Sequence, residues 1–326
     1  SWLTDNRIGA QPHYVDSLIR RARRDPHRLP PLVPTGTVLG TLLPEVASQV
    51  GLVPSIPVVC GVPDLHAAIL GSGAIEPYAS HIAVSTTSWI SARVPFKKTD
   101  ILHSIASVPG FDSLLPVVAN NQEIGGGALR WLREQIVDAD YPTLLEEAAT
   151  APPGCEGLMF APWLNGERSP VEDKDVRGAF VGMSLRTDRA MMIRAALEGV
   201  ALNARWLFDS YERFCGRPIP SLRILGGGAE SDLWCSIYAG VLDRPIEQVR
   251  RPRDAQLVGA ALWARVALGE LTLSEAASLV EVERVFMPSD SSREVYQEAY
   301  GEYRGLYKRL KGLGARAHST RVTMIR

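Results

Sequence analysis

The 326 residues carry 35 Lys and Arg against 36 Asp and Glu, a formal net charge of −1 at pH 7, with 46% hydrophobic and 22% charged residues. That length suits about two domains with a real core, and the balanced charge gives no electrostatic reason for a nucleic-acid or membrane-surface partner. No apolar run reaches the roughly 18–20 residues that span a bilayer, and the first five residues have no secretory-signal character.

Taken in chain order, the first feature is a run of arginines, Arg20, Arg21, Arg23, Arg24 and Arg28, within residues 17–28. Such a helix can meet a phosphate backbone, but no aromatics are interleaved, and a solvated face is the preferred reading. The prolines at 30, 31 and 34 then end it in a turn or linker. From residue 55 strands and helices alternate. A short buried strand is predicted over 56–60, closed by Gly61. Residues 81–86 and 89–94 form a hairpin about Thr87-Ser88, and 114–119 form a further strand. A helix follows over about 127–137. The long helix predicted over 188–214 takes Thr187 as N-cap and Gly216 as its stop. Its residues Ile193, Leu197, Val200, Ala204, Leu207 and Tyr211 recur at spacings of three and four, one buried face. Beyond it come a strand at 222–225, a Gly226-Gly227-Gly228 loop, a helix at 230–242, a strand at 245–249 and helices at 254–268 and about 292–310. The basic tail, residues 313–326, lacks periodicity and is expected to be disordered. This alternation indicates an α/β architecture with a mixed sheet.

Three segments carry candidate chemistry. Gly226-Gly227-Gly228-Ala229 lies between a strand and a helix, where glycines admit close backbone approach and the helix N-terminus offers free N–H groups to phosphate. A plain tight turn explains it equally well. It is neither a dinucleotide fingerprint, since Ser231 stands where the third glycine belongs, nor a P-loop, since no Gly-Lys-Ser/Thr follows. Val84-Ser85-Thr86-Thr87-Ser88 could hold phosphate through N–H and O–H donors, although an ordinary Ser/Thr-rich hairpin is the simpler reading. Asp64, closing Gly61-Val62-Pro63, is either a helix N-cap or a general base presented at a strand end. The cysteines Cys60, Cys155, Cys215 and Cys235 have neither metal nor redox spacing. They are read as buried free thiols of a reducing compartment, hence a cytoplasmic protein, and the six dispersed histidines leave no side-chain metal site expected.

In this order the segments resemble the FGGY carbohydrate-kinase family. Gly61-Val62-Pro63-Asp64-Leu65-His66-Ala67-Ala68 is similar to that family's Gly-Gly-Gly-Asp-Gln/Asn-x-Ala segment, and Ser85-Thr86-Thr87-Ser88 to its Gly-Thr-Ser-Gly phosphate turn. Pro162-Trp163-Leu164-Asn165-Gly166-Glu167-Arg168-Ser169-Pro170 resembles Pro-Tyr-Leu-x-Gly-Glu-Arg-Thr-Pro. Residues 178–198 resemble the C-terminal signature, ending in Ala-Ala-Leu-Glu. Gly226-Gly227-Gly228-Ala229-x-Ser231-x-x-Trp234 resembles the adenosine loop. Ser85 and Ser88 stand where the pattern has glycine, Leu65 where it has an amide, and Met191 where it has a polar residue.

The resemblance covers residues 1 to about 312 and implies an actin-like fold of two ribonuclease-H-like domains closing on ATP and sugar. Residues 1–75 would be the remnant of the first, substrate-binding domain, and 76–312 the nucleotide-binding second. It implies Asp64 as catalytic base, with Asp64 and Leu65 beside the substrate. Thr86, Thr87, Gly126, Arg130, Gly227, Gly228, Ala229 and Asp232 would bind ATP, with Mg2+ bridging its phosphates. The implied partners are ATP and a small sugar or polyol, with a homodimer left open, and neither nucleic acid nor membrane. The family's opening Asp-x-Gly-Thr phosphate loop is absent from these 326 residues. The expectation is therefore a sugar kinase, xylulokinase-like, that is catalytically incompetent as this polypeptide; the alternative is a non-catalytic nucleotide- or sugar-binding pseudokinase or regulatory module.

Overall fold

A computed structural model describes residues 3–11, 13–112 and 114–313; the expected disordered tail lies outside these residues from Gly314 onward. The arginine run forms only a short helix, α1 (Asp16–Arg21), and a 3-10 turn, Pro26–Arg28, with every arginine in it exposed. An antiparallel pair follows, β1 (Val38–Thr41) and β2 (Pro57–Val59), flanking α2 (Pro44–Val50). Leu39, Leu43, Val50 and Val53, on and between these elements, are more than half exposed.

The chain then builds its main sheet. Helix α3 (Asp64–Ser72) leads into the hairpin β3 (Ser80–Val84) and β4 (Ser88–Ala92), as the alternation of residues 81–94 predicts. A small antiparallel sheet, β5 (Thr99–Asp100), β6 (Ile105–Val108) and β7 (Val117–Ala119), precedes α4 (Gly127–Leu132). The helix predicted to 137 changes at Arg133 into a π turn ending at Val137. Three elements come next that periodicity did not announce: α5 (Tyr141–Thr150) and the hairpin β8 (Met159–Ala161) and β9 (Ala179–Val181).

Helix α6 (Arg189–Cys215) begins one residue later than expected. Its cap is Asp188, whose carboxylate accepts the Met191 N–H at 2.8 Å, and not Thr187; Gly216 ends it in the left-handed conformation. All six residues of its predicted apolar stripe are buried, but so are most of the others from Ala190 to Tyr211. The helix is wrapped by the sheet on one side and by α5, β8 and the later helices on the others, so its polar residues needed partners inside the protein. Strand β10 (Leu222–Leu225), α7 (Asp232–Leu242), β11 (Ile246–Val249), α8 (Ala255–Ala267), α9 (Leu273–Ser278), β12 (Val282–Phe286) and α10 (Asp290–Leu310) complete the fold.

The five-stranded sheet runs β12-β11-β10-β3-β4, with β11, β10 and β3 parallel and both outer strands antiparallel. Alternation along the strands gives it two buried faces. Ile82, Val84, Leu222, Ile224 and Ile246 join α6 and α7 in the large core, whereas Ala83, Leu225 and Val249 meet Ala68 of α3 and Ala255 of α8. Helix–sheet–helix layering of this kind is what the parallel strands require. On the second face α3 and α8 touch backbone to backbone: a Cβ on Gly71 would stand 1.7 Å from the Ala255 carbonyl oxygen, and one on Gly259 1.9 Å from that of Ala67.

The buried polar residues of α6 are paired. Arg194 and Glu198 meet at 2.7 Å across one turn; Glu198 also accepts the Tyr296 hydroxyl at 2.9 Å and the Gly154 N–H at 3.1 Å. Burial pushes the Glu198 carboxyl up from its ordinary value, and the Arg194 guanidinium opposes that. Glu198→Ala is expected to destabilise the protein by about 3–5 kcal/mol in denaturant titrations, because Arg194 is left buried without its counter-charge, while the Arg194→Met/Glu198→Leu pair should lose less.

Candidate active site

Strands β3, β10 and β11 are parallel, so their C-terminal ends open on one edge, where ligands of open α/β sheets collect. After β3 the chain turns through Ser85-Thr86-Thr87, closed by Ser85 N–H donating to the Thr87 carbonyl at 3.0 Å. The serines in place of glycine are accommodated, since neither takes a positive φ. Thr86 is exposed and Thr87 half-buried, and among the described residues neither its N–H nor its hydroxyl has a partner at either position. The turn is braced by residues 125–127: the Gly125 and Gly127 N–H groups donate to the Thr86 carbonyl at 2.9 and 3.2 Å, and Gly126 N–H to that of Ser85 at 2.5 Å. A Cβ on any of these glycines would stand within 2.9 Å of a carbonyl oxygen of the turn, hence their composition. Arg130, one turn into α4, is exposed and has no ion pair among the described residues.

After β10, Gly226 takes φ 95° and ψ 173°, a conformation open in practice only to glycine, and its N–H donates to the Pro252 carbonyl at 2.8 Å. A Cβ there would meet the Val84 carbonyl oxygen at 2.5 Å, and one on Gly228 the Val84 Cγ1 at 2.5 Å. The Gly226 loop therefore packs directly on Val84, the last residue of β3, from which the Thr86 turn springs. Gly227 is exposed. Ala229 points the other way: it is fully buried, and its carbonyl accepts Gln248 Nε2 at 2.6 Å, so it pins the loop from beneath. Residues 227–230 form a 3-10 turn, and the next helix starts at Asp232, two residues later than predicted, with Ser231 as cap. The Asp232 carboxylate is paired with Arg284 of β12.

Asp64 opens α3 at the same edge. The Ser72 carbonyl, at the far end of the helix, accepts Arg223 of β10 at 2.6 Å, while Ala68 packs on Ala83 and Leu225 nearer the strands' C-terminal ends. Helix α3 thus runs against the strand direction and brings Asp64 to this edge, where its carbonyl accepts Gln256 Nε2 from the start of α8 at 3.4 Å. The N-cap is Pro63; Asp64 is the first helical residue, exposed, with Oδ1 accepting only the adjacent Leu65 N–H at 2.8 Å. Its carboxylate is thus spare. Leu65 is half-buried against the cluster of Ile69, Leu262 and Trp263, away from the carboxylate. Of the predicted residues, Asp64, Thr86, Thr87, Gly126, Gly227, Gly228 and Asp232 share this edge, with Arg130 at its rim.

Beside the Gly226 loop a cleft of about 660 Å³ is lined by Pro142 and Leu145 of α5, Ser231, Asp232, Arg251 and Arg284, among others. The sequence reading missed these α5, Arg251 and Arg284 contributions. Asp140 with Pro142 is a helix-start signal that would have located α5; nothing local marks Arg284, whose strand was not predicted. Elsewhere the chain offers little competing chemistry. The cysteines are free; Cys60 is half-buried and the other three buried, and burial pushes the Cys215 and Cys235 thiols up to about 11 and about 12. Among the described residues no three His, Cys, Asp or Glu side chains gather into a metal site, and no helix is long and apolar enough to cross a membrane.

Residues 103–268, just over half of the chain, match the C-terminal domain of the FGGY family of carbohydrate kinases. The chain is 28% identical over 294 residues to a xylulose kinase of Staphylococcus epidermidis, covering 88% of this chain and 58% of that protein. It is 29% identical over 274 residues to a gluconokinase of Bacillus subtilis, covering 81% and 53%. The crystal structure of ligand-bound xylulose kinase from Lactobacillus acidophilus superposes with a TM-score of 0.82 at 24% identity, over 93% of this chain and 62% of that one. The chain thus spans a little over half the length of the curated relatives it matches, and its architecture is the actin-like ATPase fold of these kinases, a mixed sheet flanked by helices. Family match and shared fold agree, and the chain belongs to the FGGY family of carbohydrate kinases.

Proposed function

We propose that the chain binds ATP along the edge formed by the Thr86 turn and the Gly226 loop, and that Asp64 is the base for transfer to a sugar or polyol hydroxyl. The observation that carries this is the meeting, at one sheet edge, of a spare carboxylate, two unpartnered Ser/Thr-type donors and a glycine loop beside a nucleoside-sized cleft. The residues fit the nucleotide. Glycine at 226 and 228 leaves the backbone free to approach phosphate, Thr86 and Thr87 supply N–H and O–H donors, and Arg130 supplies a cation. Pro142 and Leu145 offer an apolar wall to the base, with Ser231 and Asp232 opposite. With no carboxylate cluster to cage it, magnesium would be held by phosphate oxygens, water and at most one or two carboxylates, and when bound it neutralises phosphate charge. Asp64 accepts the proton of the attacking hydroxyl, which makes that oxygen the better nucleophile.

A second reading, binding without efficient turnover, is favoured by one observation: the phosphate-facing donors among the described residues all come from a single sheet edge. In-line transfer is fastest when both sides of the transferring group are stabilised. For the polypeptide of these 326 residues we therefore infer nucleotide binding with little or no transfer. The test is ADP release over a panel of pentuloses, hexuloses, polyols and gluconate, with ADP binding measured by calorimetry in parallel. ADP binding without release is the expected result for this polypeptide; robust sugar-dependent release would establish the kinase and remove the second reading. Absence of both would overturn the nucleotide site.

A further inference from the structure

Glu167 is a carboxylate that the transfer chemistry does not use. It lies between β8 and β9, 3% exposed, and every hydrogen-bonding group that reaches its side chain is a donor. Oε1 accepts the Glu123 N–H at 2.9 Å and the Arg168 N–H at 2.8 Å, and Oε2 accepts Asn203 Nδ2 at 2.6 Å. Asn203 has no freedom to turn its carbonyl toward Glu167. Its Oδ1 is taken by Trp163 Nε1 and by the Tyr303 hydroxyl, each at 3.1 Å.

Other titratable groups face the same spot. The Glu123 carboxylate is held by Arg168 at 2.6 Å and by Asn165 at 2.9 Å; Tyr303 approaches from α10; and Asp173 exchanges main-chain hydrogen bonds with Glu167 at 2.8 and 2.9 Å while its own carboxylate accepts the Tyr307 hydroxyl. Burial pushes the Glu167 carboxyl up to about 7, the three hydrogen bonds pull it down, and the Glu123 charge adds to the rise.

The segment that Glu167 grips leads straight to the phosphate-facing turn. Gln122 exchanges main-chain hydrogen bonds with Ser88 at 2.7 and 3.3 Å, Glu123 is the residue Glu167 holds, and Gly125, Gly126 and Gly127 donate to the carbonyls of Ser85 and Thr86. Residues 122–127 are thus clamped between the Glu167 carboxylate on one side and the Thr86 turn on the other. We propose that Glu167 is a positioning residue for phosphoryl transfer, its carboxylate anchoring residues 122–127 and, through them, the Thr86 turn and the start of α4. This rests on the kinase reading given above.

A proton on Glu167 would need an acceptor, and the groups around it are donors, so protonation breaks one of the three bonds and slackens the anchor. Glu167→Gln has the shape of the protonated side chain at every pH. Expected for the wild-type protein is an ADP affinity that falls as pH drops through about 7, and any sugar-dependent kcat falling with it. In Glu167→Gln both should lie about 10- to 100-fold below wild type at pH 8 and lose that acid limb, so the gap between the two proteins narrows several-fold by pH 6. Glu123→Gln keeps the N–H that Glu167 holds but removes the facing charge, so its limb should move to lower pH. This variant decides the matter if Glu167→Gln does not fold.

Calorimetric ADP titrations between pH 6 and 9 read the anchor without requiring turnover. Identical ADP affinity and pH dependence in wild type and Glu167→Gln, or an unmoved limb in Glu123→Gln, would overturn the positioning role. Absence of ADP binding by the wild type at every pH would instead overturn the nucleotide site itself, whereas pH-dependent binding without phosphorylation, the result expected of this polypeptide, leaves the anchor standing.

Discussion

Asp64→Asn is expected to lower the sugar-dependent kcat about 10²- to 10⁴-fold and to leave ADP affinity unchanged, measured wherever the substrate panel reveals turnover. The magnitude is that of a positioned general base. The substitution is close to isosteric, and the amide oxygen can still accept the Leu65 N–H that Asp64 holds at 2.8 Å. The loss of a negative charge in the first turn of α3 should change stability by no more than about 0.3–1 kcal/mol. A collapse of kcat therefore could not be assigned to unfolding, and a thermal melt alongside the kinetics checks this. Neither the Thr86 turn nor the Gly226 loop touches the Asp64 side chain through a hydrogen bond, so ADP affinity should be indifferent. If kcat survives, Asp64 is a helix-start residue and the base must be sought elsewhere on the edge.

Gly259→Ala should be more damaging to the fold than its single methyl suggests. The added Cβ would stand 1.9 Å from the Ala67 carbonyl oxygen and 2.7 Å from the Gly71 N, both backbone atoms that no rotamer change can move aside. Helices α3 and α8 must separate, opening the packing of Ala68, Ala83 and Ala255 behind the sheet. Overpacking of this kind destabilises by about 1–3 kcal/mol, and a rigid backbone clash belongs at or beyond the upper end. Because α3 carries Asp64, the displacement should also lower any kcat, about 10²-fold for a shift of about 1 Å. Gly301→Ala on the exposed face of α10 is the comparison: nothing lies within 4 Å of its Cβ, and replacing a helical glycine should stabilise by about 0.4–1 kcal/mol. Equal midpoints for the two variants in urea would show that the α3–α8 contact is looser than the structure has it.

What the sequence disclosed, and what it hid, follows from where each signal lies. Strand β10 emerged as predicted because Leu222 and Ile224 lie between Pro220 and the glycine loop, so pattern and punctuation agree. The ends of α6 were legible within a residue, but its burial on all sides was not, since Arg194, Glu198 and Asn203 look like solvent residues until their partners on other elements are seen. Strand β12 escaped because its exposed Glu283, Arg284 and Val285 carry an edge strand's weak pattern. Helix α9 need not have been missed, since Thr272 and Glu275 form a capping box written plainly in four residues. At the candidate site the glycine loops and the Thr86 turn were readable as local motifs. The inward direction of Ala229, the packing of Leu65 and the grip of Glu167 on Glu123 depend on chain segments far apart, and no local pattern encodes them.

The close crossing of α3 and α8 also sets the order in which the protein can assemble. Asp64 and Gln256, which meet at the crossing, are 192 residues apart, and β3 likewise waits for β10 before it gains its parallel neighbour. At about 5–20 residues per second, a ribosome needs about 10–40 s to deliver α8 after α3 has emerged. Throughout that interval the small-residue face of α3 and the open edge of the β3–β4 hairpin have no native cover, and the nascent chain is at its most exposed to wrong pairing.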